Sequence, residues 1–198
     1  RLVGSEMCIR DSFYDTWKLK SEFVGTVWEK LYNSLPLDNL GELRIICLTS
    51  GTCYTVHADI DDRYHLNLSG NNCYMIDLDN NQLHPVHHDG VWYNMDAGRR
   101  HVAANFGNRL RYQLVYRHLM THSDLTNPQH VCIKFDQGTD KGDARFRFDS
   151  NISPWLNSAN KRGIIDNFSY DENVAQFDIE ENSLAELTGI IPNGLILE

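Results

Sequence analysis

The chain reads as mainly β, a barrel or jelly roll preceded by an N-terminal helix and followed by a small α+β extension. Three patterns say so. From Leu43 to Arg117, short runs with period-two apolar alternation are separated by turn residues. Phe13–Ser34 carries apolar residues at helical spacing. Beyond His118 the texture changes to a mixture of strand-like and helix-like pieces.

In chain order, Arg1–Ser12 has neither periodicity nor a signal-peptide apolar core. It resembles translated adapter sequence and is set aside as a non-native or disordered terminus. Trp17, Phe23, Val24, Val27, Trp28 and Leu31 form the helical stripe, which Pro36 stops. Strand-like runs follow at Arg44–Thr49, Cys53–Asp59 and Arg63–Leu68. Cys73–Leu78 and Gln82–His87 flank Asp79-Asn80-Asn81, a hairpin turn. That turn superficially looks like a calcium loop, but Gln82 and His88 stand where Gly and Glu are needed. Gly90–Met95, Arg99–Asn105 and Arg111–Arg117 complete the β region, so residues 13–120 form one domain. In the extension, residues 121–198, Val131–Phe135 and Ala144–Phe148 read as strands. Ser153–Arg162 reads as a helix with Pro154 in its first turn. Its apolar residues, Val131, Ile133, Phe146, Trp155, Ile164, Ile165 and Phe168, predict packing against the barrel mouth, where it would help shape a substrate pocket.

A net charge of −9 and pI near 5.4 argue against sequence-independent nucleic-acid binding and a basic membrane-surface patch. No apolar run approaches the roughly 20 residues needed for a membrane span. Five cysteines without zinc spacing point to reduced thiols and a cytoplasmic setting.

The chemistry centres on His57 and Asp59. Two residues apart in a strand, their side chains would share a face. An imidazole and a carboxylate make two-thirds of the facial triad that holds non-haem Fe(II) with open positions. His101, 42 residues after Asp59, is the candidate third ligand. Arg111, in the next strand, offers the guanidinium fork that a dicarboxylate co-substrate requires, and spacing favours it over Arg109. Arg63, His65 and Asn67 form a polar stripe opposite Tyr64, Leu66 and Leu68, as if lining a wet cavity. His87, His88, His118 and His122 read as surface residues, and Trp92 and Trp155 as packing. Arg99 and Arg100 could meet an anionic substrate or be solvated.

The motifs His57-Ala-Asp59, Arg63-Tyr-His65-Leu-Asn-Leu68, Gly90-Val-Trp-Tyr-Asn-Met-Asp96, His101-Val-Ala-Ala-Asn105 and Arg111-Tyr-Gln-Leu-Val115 carry a resemblance. Together they resemble the 2-oxoglutarate/Fe(II)-dependent oxygenases of the aspartyl/asparaginyl β-hydroxylase type, including bacterial cis-proline hydroxylases and phage-encoded relatives. The resemblance covers about residues 43–117 and implies a double-stranded β-helix, cupin-like, with His57, Asp59 and His101 on iron. It implies that Arg111 binds the distal carboxylate of 2-oxoglutarate, with Arg63 and His65 near the metal-proximal end. The implied activity is hydroxylation of a small-molecule or peptide substrate using O₂, with succinate and CO₂ as co-products. The residues alone leave open a cupin-type metal enzyme that does not use 2-oxoglutarate, or a non-enzymatic β-helix binding module.

Overall fold

Antiparallel strands dominate the computed structural model, which describes residues 3–4, 13–171 and 173–198, and the chain is mainly β. It divides into two compact units. The first comprises the described residues up to Val56, with Asp61–Ala97 and His101–Leu119; the second comprises His57–Ile60, Gly98–Arg100 and Met120–Glu198. No helix among the described residues is long and apolar enough to cross a membrane.

In the first unit, β1 (Val3–Gly4) pairs with β2 (Lys18–Leu19). The remainder of Arg1–Ser12, expected to be non-native, lies outside the described residues. Eight strands follow: β3 (Leu40–Leu48), β4 (Thr52–Cys53), β5 (Arg63–Ser69) and β6 (Cys73–Asp77). Then come β7 (Gln82–Pro85), β8 (Trp92–Met95), β9 (His101–Asn105) and β10 (Arg111–His118). They form two four-stranded sheets, ordered β3-β10-β5-β8 and β4-β9-β6-β7. The pairing is nested: β3 with β10, β4 with β9, β5 with β8 and β6 with β7, all antiparallel. The innermost hairpin turns at Asn81, at φ 55°, a conformation Asn tolerates well. Asp77 Oδ1 accepts the N–H groups of Asp79 and Asn80 there, each at 3.0 Å, so the carboxylate serves the turn.

The helix expected across Phe13–Ser34 is not formed. A 3₁₀ turn at Ser21–Phe23 and a six-residue helix, α1 (Val27–Tyr32), take its place. Gly25 at φ 79° breaks the run, and Thr26 caps the short helix, its Oγ1 accepting the Trp28 N–H at 3.2 Å. The stripe is still used for packing. Trp17, Leu40, Leu43, Leu66, Leu114 and Tyr116 form a core cluster, with Phe23, Trp28, Leu31 and Tyr32 laid against it. A second cluster lies between the sheets, where Met75 and Ala103 of one meet Tyr93 and Met95 of the other.

The second unit has its own sheet, ordered β12-β13-β11-β14, from β11 (Pro128–Phe135), β12 (Ile165–Asp171), β13 (Val174–Glu180) and β14 (Leu195–Leu197). The helices are α2 (Lys141–Arg147), α3 (Ser153–Lys161) and α4 (Leu184–Ile190). Ala144–Phe148 is thus helical, against the expectation of a strand. Asp140 caps α2, accepting the N–H groups of Gly142 and Asp143, and this sets the helix start. Ile133, Phe148, Ile152, Leu156, Ile165, Phe168, Phe177 and Ile179 are buried. Phe146 is exposed, and Arg100 lies over its ring at 5.2 Å.

Leu114 is fully buried beneath Trp17 and Leu43. Leu114→Ala should therefore cost about 2–5 kcal/mol in a urea titration. Leu83→Ala, at a side chain 60% exposed, should stay within about 0.5 kcal/mol. Equal losses at the two positions would contradict the assigned burial of Leu114 on β10 and exposure of Leu83 on β7.

Candidate metal centre and its surroundings

The strand predicted over Cys53–Asp59 stops at Cys53. Tyr54 still donates its N–H to Ala103 O at 3.0 Å, but the chain then leaves the sheet, and His57 keeps only an isolated bridge. The argument that alternation puts His57 and Asp59 on one strand face therefore fails. The turn nevertheless brings them together, with His57 Nε2 3.9 Å from Asp59 Oδ2. His101 opens β9 opposite Asp77 and is buried. The donor atoms of His57, Asp59 and His101 all lie within 4.8 Å of one another, and the group can hold a metal ion.

The fit is good on the donor chemistry. Two imidazole nitrogens and one carboxylate are the donor set of the facial triad. Ligands about 2.1 Å from an ion, at right angles, stand about 3 Å apart.

Arg111 is the largest fully buried side chain of the unit, 1% exposed. Its Nη1 donates to Tyr74 O and Ala104 O, each at 3.3 Å, reaching the carbonyls of the other sheet. Its Nη2 donates to Gln113 Oε1 and approaches Met75 Sδ at 3.7 Å. Burial pulls this guanidinium below its ordinary value. The charges that would oppose that shift are those of the Cys73 thiol, itself pushed up by burial, and of Tyr54. No carboxylate among the described residues pairs with it. Arg109 is exposed, which separates the two rival arginines by depth.

The polar stripe of β5 is not a solvated surface, since His65 and Asn67 are buried. Asn67 faces Gln113 in the pairing and His65 faces Val115, so they share the side of the sheet that carries Arg111. Arg63, expected beside the co-substrate, donates to Asp61. Arg117 donates to the same carboxylate and lies over the Phe13 ring at 4.1 Å. Asp61 was not singled out by sequence. Its signal was available, since the cation on β10 faces Arg63 on β5 and two arginines in register need an anion.

His87, His88 and His122 are exposed, as expected, although His122 Nδ1 sits 2.9 Å from Asp166 Oδ1. Arg99 is exposed and Arg100 half-buried. Trp92 packs near Tyr116 and donates Nε1–H to Ser34 Oγ, and Trp155 is buried with Nε1–H to Glu186, both as packing residues. A scan against protein-family models finds no match, and no curated protein matches the chain.

The wild-type chain should bind one Co(II), used as an air-stable probe, in a calorimetric titration. Asp59→Ala and His101→Ala should each weaken that binding by at least about tenfold. An ion held equally well by both variants would place the site elsewhere.

Proposed function

We propose that this chain is a 2-oxoglutarate- and Fe(II)-dependent dioxygenase that hydroxylates an amino acid or a peptidyl side chain. The observation that carries the reading is Arg111, a buried cation without a carboxylate partner among the described residues, in a chain whose His57, Asp59 and His101 could hold a metal. A buried charge is costly unless paired, and a dicarboxylate supplies the missing anion.

His57, Asp59 and His101 would hold Fe(II) and leave positions open for the co-substrate and O₂. Iron loaded with 2-oxoglutarate supplies the activation of O₂ that breaks an unactivated C–H bond, with succinate and CO₂ released. Arg111 binds the distal carboxylate through a charge-assisted fork, and Gln113 Oε1 holds that fork in orientation. His65, buried on the same side of the sheet, would serve the metal-proximal end of the co-substrate, as the resemblance implies. Arg63 acts beside it while tethered to Asp61. The buried setting of Arg111 excludes water, which strengthens the ion pair.

The nested pairing of β3–β10 supports a double-stranded β-helix. A long hairpin folded over itself places consecutive strands alternately in two sheets, apart from the β6–β7 hairpin at its tip, which is how two Greek keys make a jelly roll. Unpaired thiols at Cys47, Cys53, Cys73 and Cys132 support a cytoplasmic setting.

The test is succinate formation from 2-oxoglutarate with Fe(II), screened across free amino acids and peptides. Arg111→Ala should weaken 2-oxoglutarate binding by about 2–5 kcal/mol while leaving Co(II) affinity nearly unchanged. Arg109→Ala should do neither. Metal binding without any effect of 2-oxoglutarate would favour a cupin-type enzyme with another co-substrate, and a chain that binds no metal would favour a binding module.

A further inference from the structure

Two polar atoms buried in the first unit, Asn67 Oδ1 and Arg111 Nε, have no hydrogen-bond partner among the described residues. Asn67 is 2% exposed and Arg111 1%. They share one face of the sheet, since Asn67 pairs in register with Gln113, whose Oε1 accepts from Arg111 Nη2. Both also reach the same stretch of β6. Arg111 Nη1 donates to Tyr74 O. Asn67 Nδ2 donates at 3.4 Å to Val86 O, and the Val86 N–H donates at 2.9 Å to Cys73 O. Val86 O can only accept, so Nδ2 is the end of the amide that faces it and the oxygen is left over. Of the Arg111 donors, Nη1 serves two carbonyls, and Nη2 serves an amide oxygen and a thioether, which is a weak acceptor. The edge of the fork formed by Nε and Nη2 is therefore the one open to a carboxylate.

We propose that Asn67 is a second residue of the distal-carboxylate site, holding that carboxylate through a bridging water while Arg111 holds it directly. The inference rests on the co-substrate reading of Arg111. A carboxylate seated on the Nε–Nη2 edge points one lone pair of each oxygen at the guanidinium and keeps the others without a donor. In a buried setting each unmet lone pair is costly. Asn67 Oδ1 has the same need, and two acceptors cannot bond to each other. One water donating to both meets both needs, at nearly the enthalpy of a direct hydrogen bond. Gln113 and Asn67, opposite one another across β10 and β5, then divide the work. The first orients the guanidinium and the second orients the carboxylate. Asn67 acts on the distal carboxylate alone, so a keto acid that ends before it gains nothing from this residue.

The experiment measures, by calorimetry on the intact Co(II)-loaded chain, the affinity for 2-oxoglutarate and for pyruvate, which has the keto-acid head without the distal carboxylate. The wild type is compared with Asn67→Leu, which keeps the bulk and removes the acceptor, and with Asn67→Asp, which puts an anion near the guanidinium. Asn67→Leu should weaken 2-oxoglutarate about tenfold and leave pyruvate and Co(II) within about twofold of the wild type. Asn67→Asp should weaken 2-oxoglutarate about a hundredfold, because its carboxylate competes for Arg111. If Asn67→Leu fails to fold, Asn67→Asp decides the matter. A folded variant that binds 2-oxoglutarate like the wild type would overturn the inference. Equal losses for 2-oxoglutarate and pyruvate would also overturn it, as the mark of a side chain that only supports the fold. A wild-type chain that binds 2-oxoglutarate no more tightly than pyruvate would instead overturn the co-substrate reading of Arg111, an outcome distinct from the other two.

Discussion

The register of β10 between β3 and β5 is the constraint on which the first unit depends. Along β10, Arg111, Gln113, Val115 and Arg117 alternate with Leu114 and Tyr116, and the two sets point to opposite sides. A slip of one residue would drive guanidinium groups into the cluster around Leu43 and Leu66, and would turn Tyr116 toward the polar interior. An unpaired buried ion costs several kcal/mol, so the slip is forbidden from both faces at once. Irregularities absorb the strain of serving two neighbours, one against β5 between Tyr112 and Gln113 and one against β3 between Tyr116 and His118. Asn105 ties the β10 entry down, its Nδ2 donating to Leu48 O, Thr49 O and Arg109 O.

The two buried arginines of β10 have opposite electrostatic fates. Arg117 meets Asp61, which also accepts from Arg63, so one carboxylate inside the fold is shared between two guanidinium groups. Arg111 meets carbonyls, an amide oxygen and a thioether, all neutral acceptors. The first arrangement contains an anion of its own. The second holds a cation with no carboxylate partner among the described residues.

Legibility in the sequence followed the physics of each signal. Strands with period-two alternation and a turn at each end were readable, since β5, β6 and β10 fall close to their expected bounds. The triad was legible as residue types, and its members do converge. The route to it was not, because His57 and Asp59 meet across an irregular turn whose geometry no periodicity encodes. The N-terminal stripe is real, yet no continuous helix carries it. Spacing reports which residues face a core, and a single left-handed Gly25 decides whether helix connects them.

The nested pairing of β3–β10 also governs how the chain can acquire its structure. Leu40 pairs with His118, 78 residues later, whereas Asp77 pairs with Gln82 across a tight turn. Closing the outer pair first would carry the full loop-closure entropy, so assembly is cheapest from the β6–β7 hairpin outward. On a ribosome adding about 5–20 residues per second, β3 would wait about 4–16 s before its partner strand exists. During that interval a nine-residue strand ending in Ile45-Ile46-Cys47-Leu48 stands with both edges open. The edge strand of the finished sheet is thus the one that stays open to mispairing longest, until β10 emerges to pair with it.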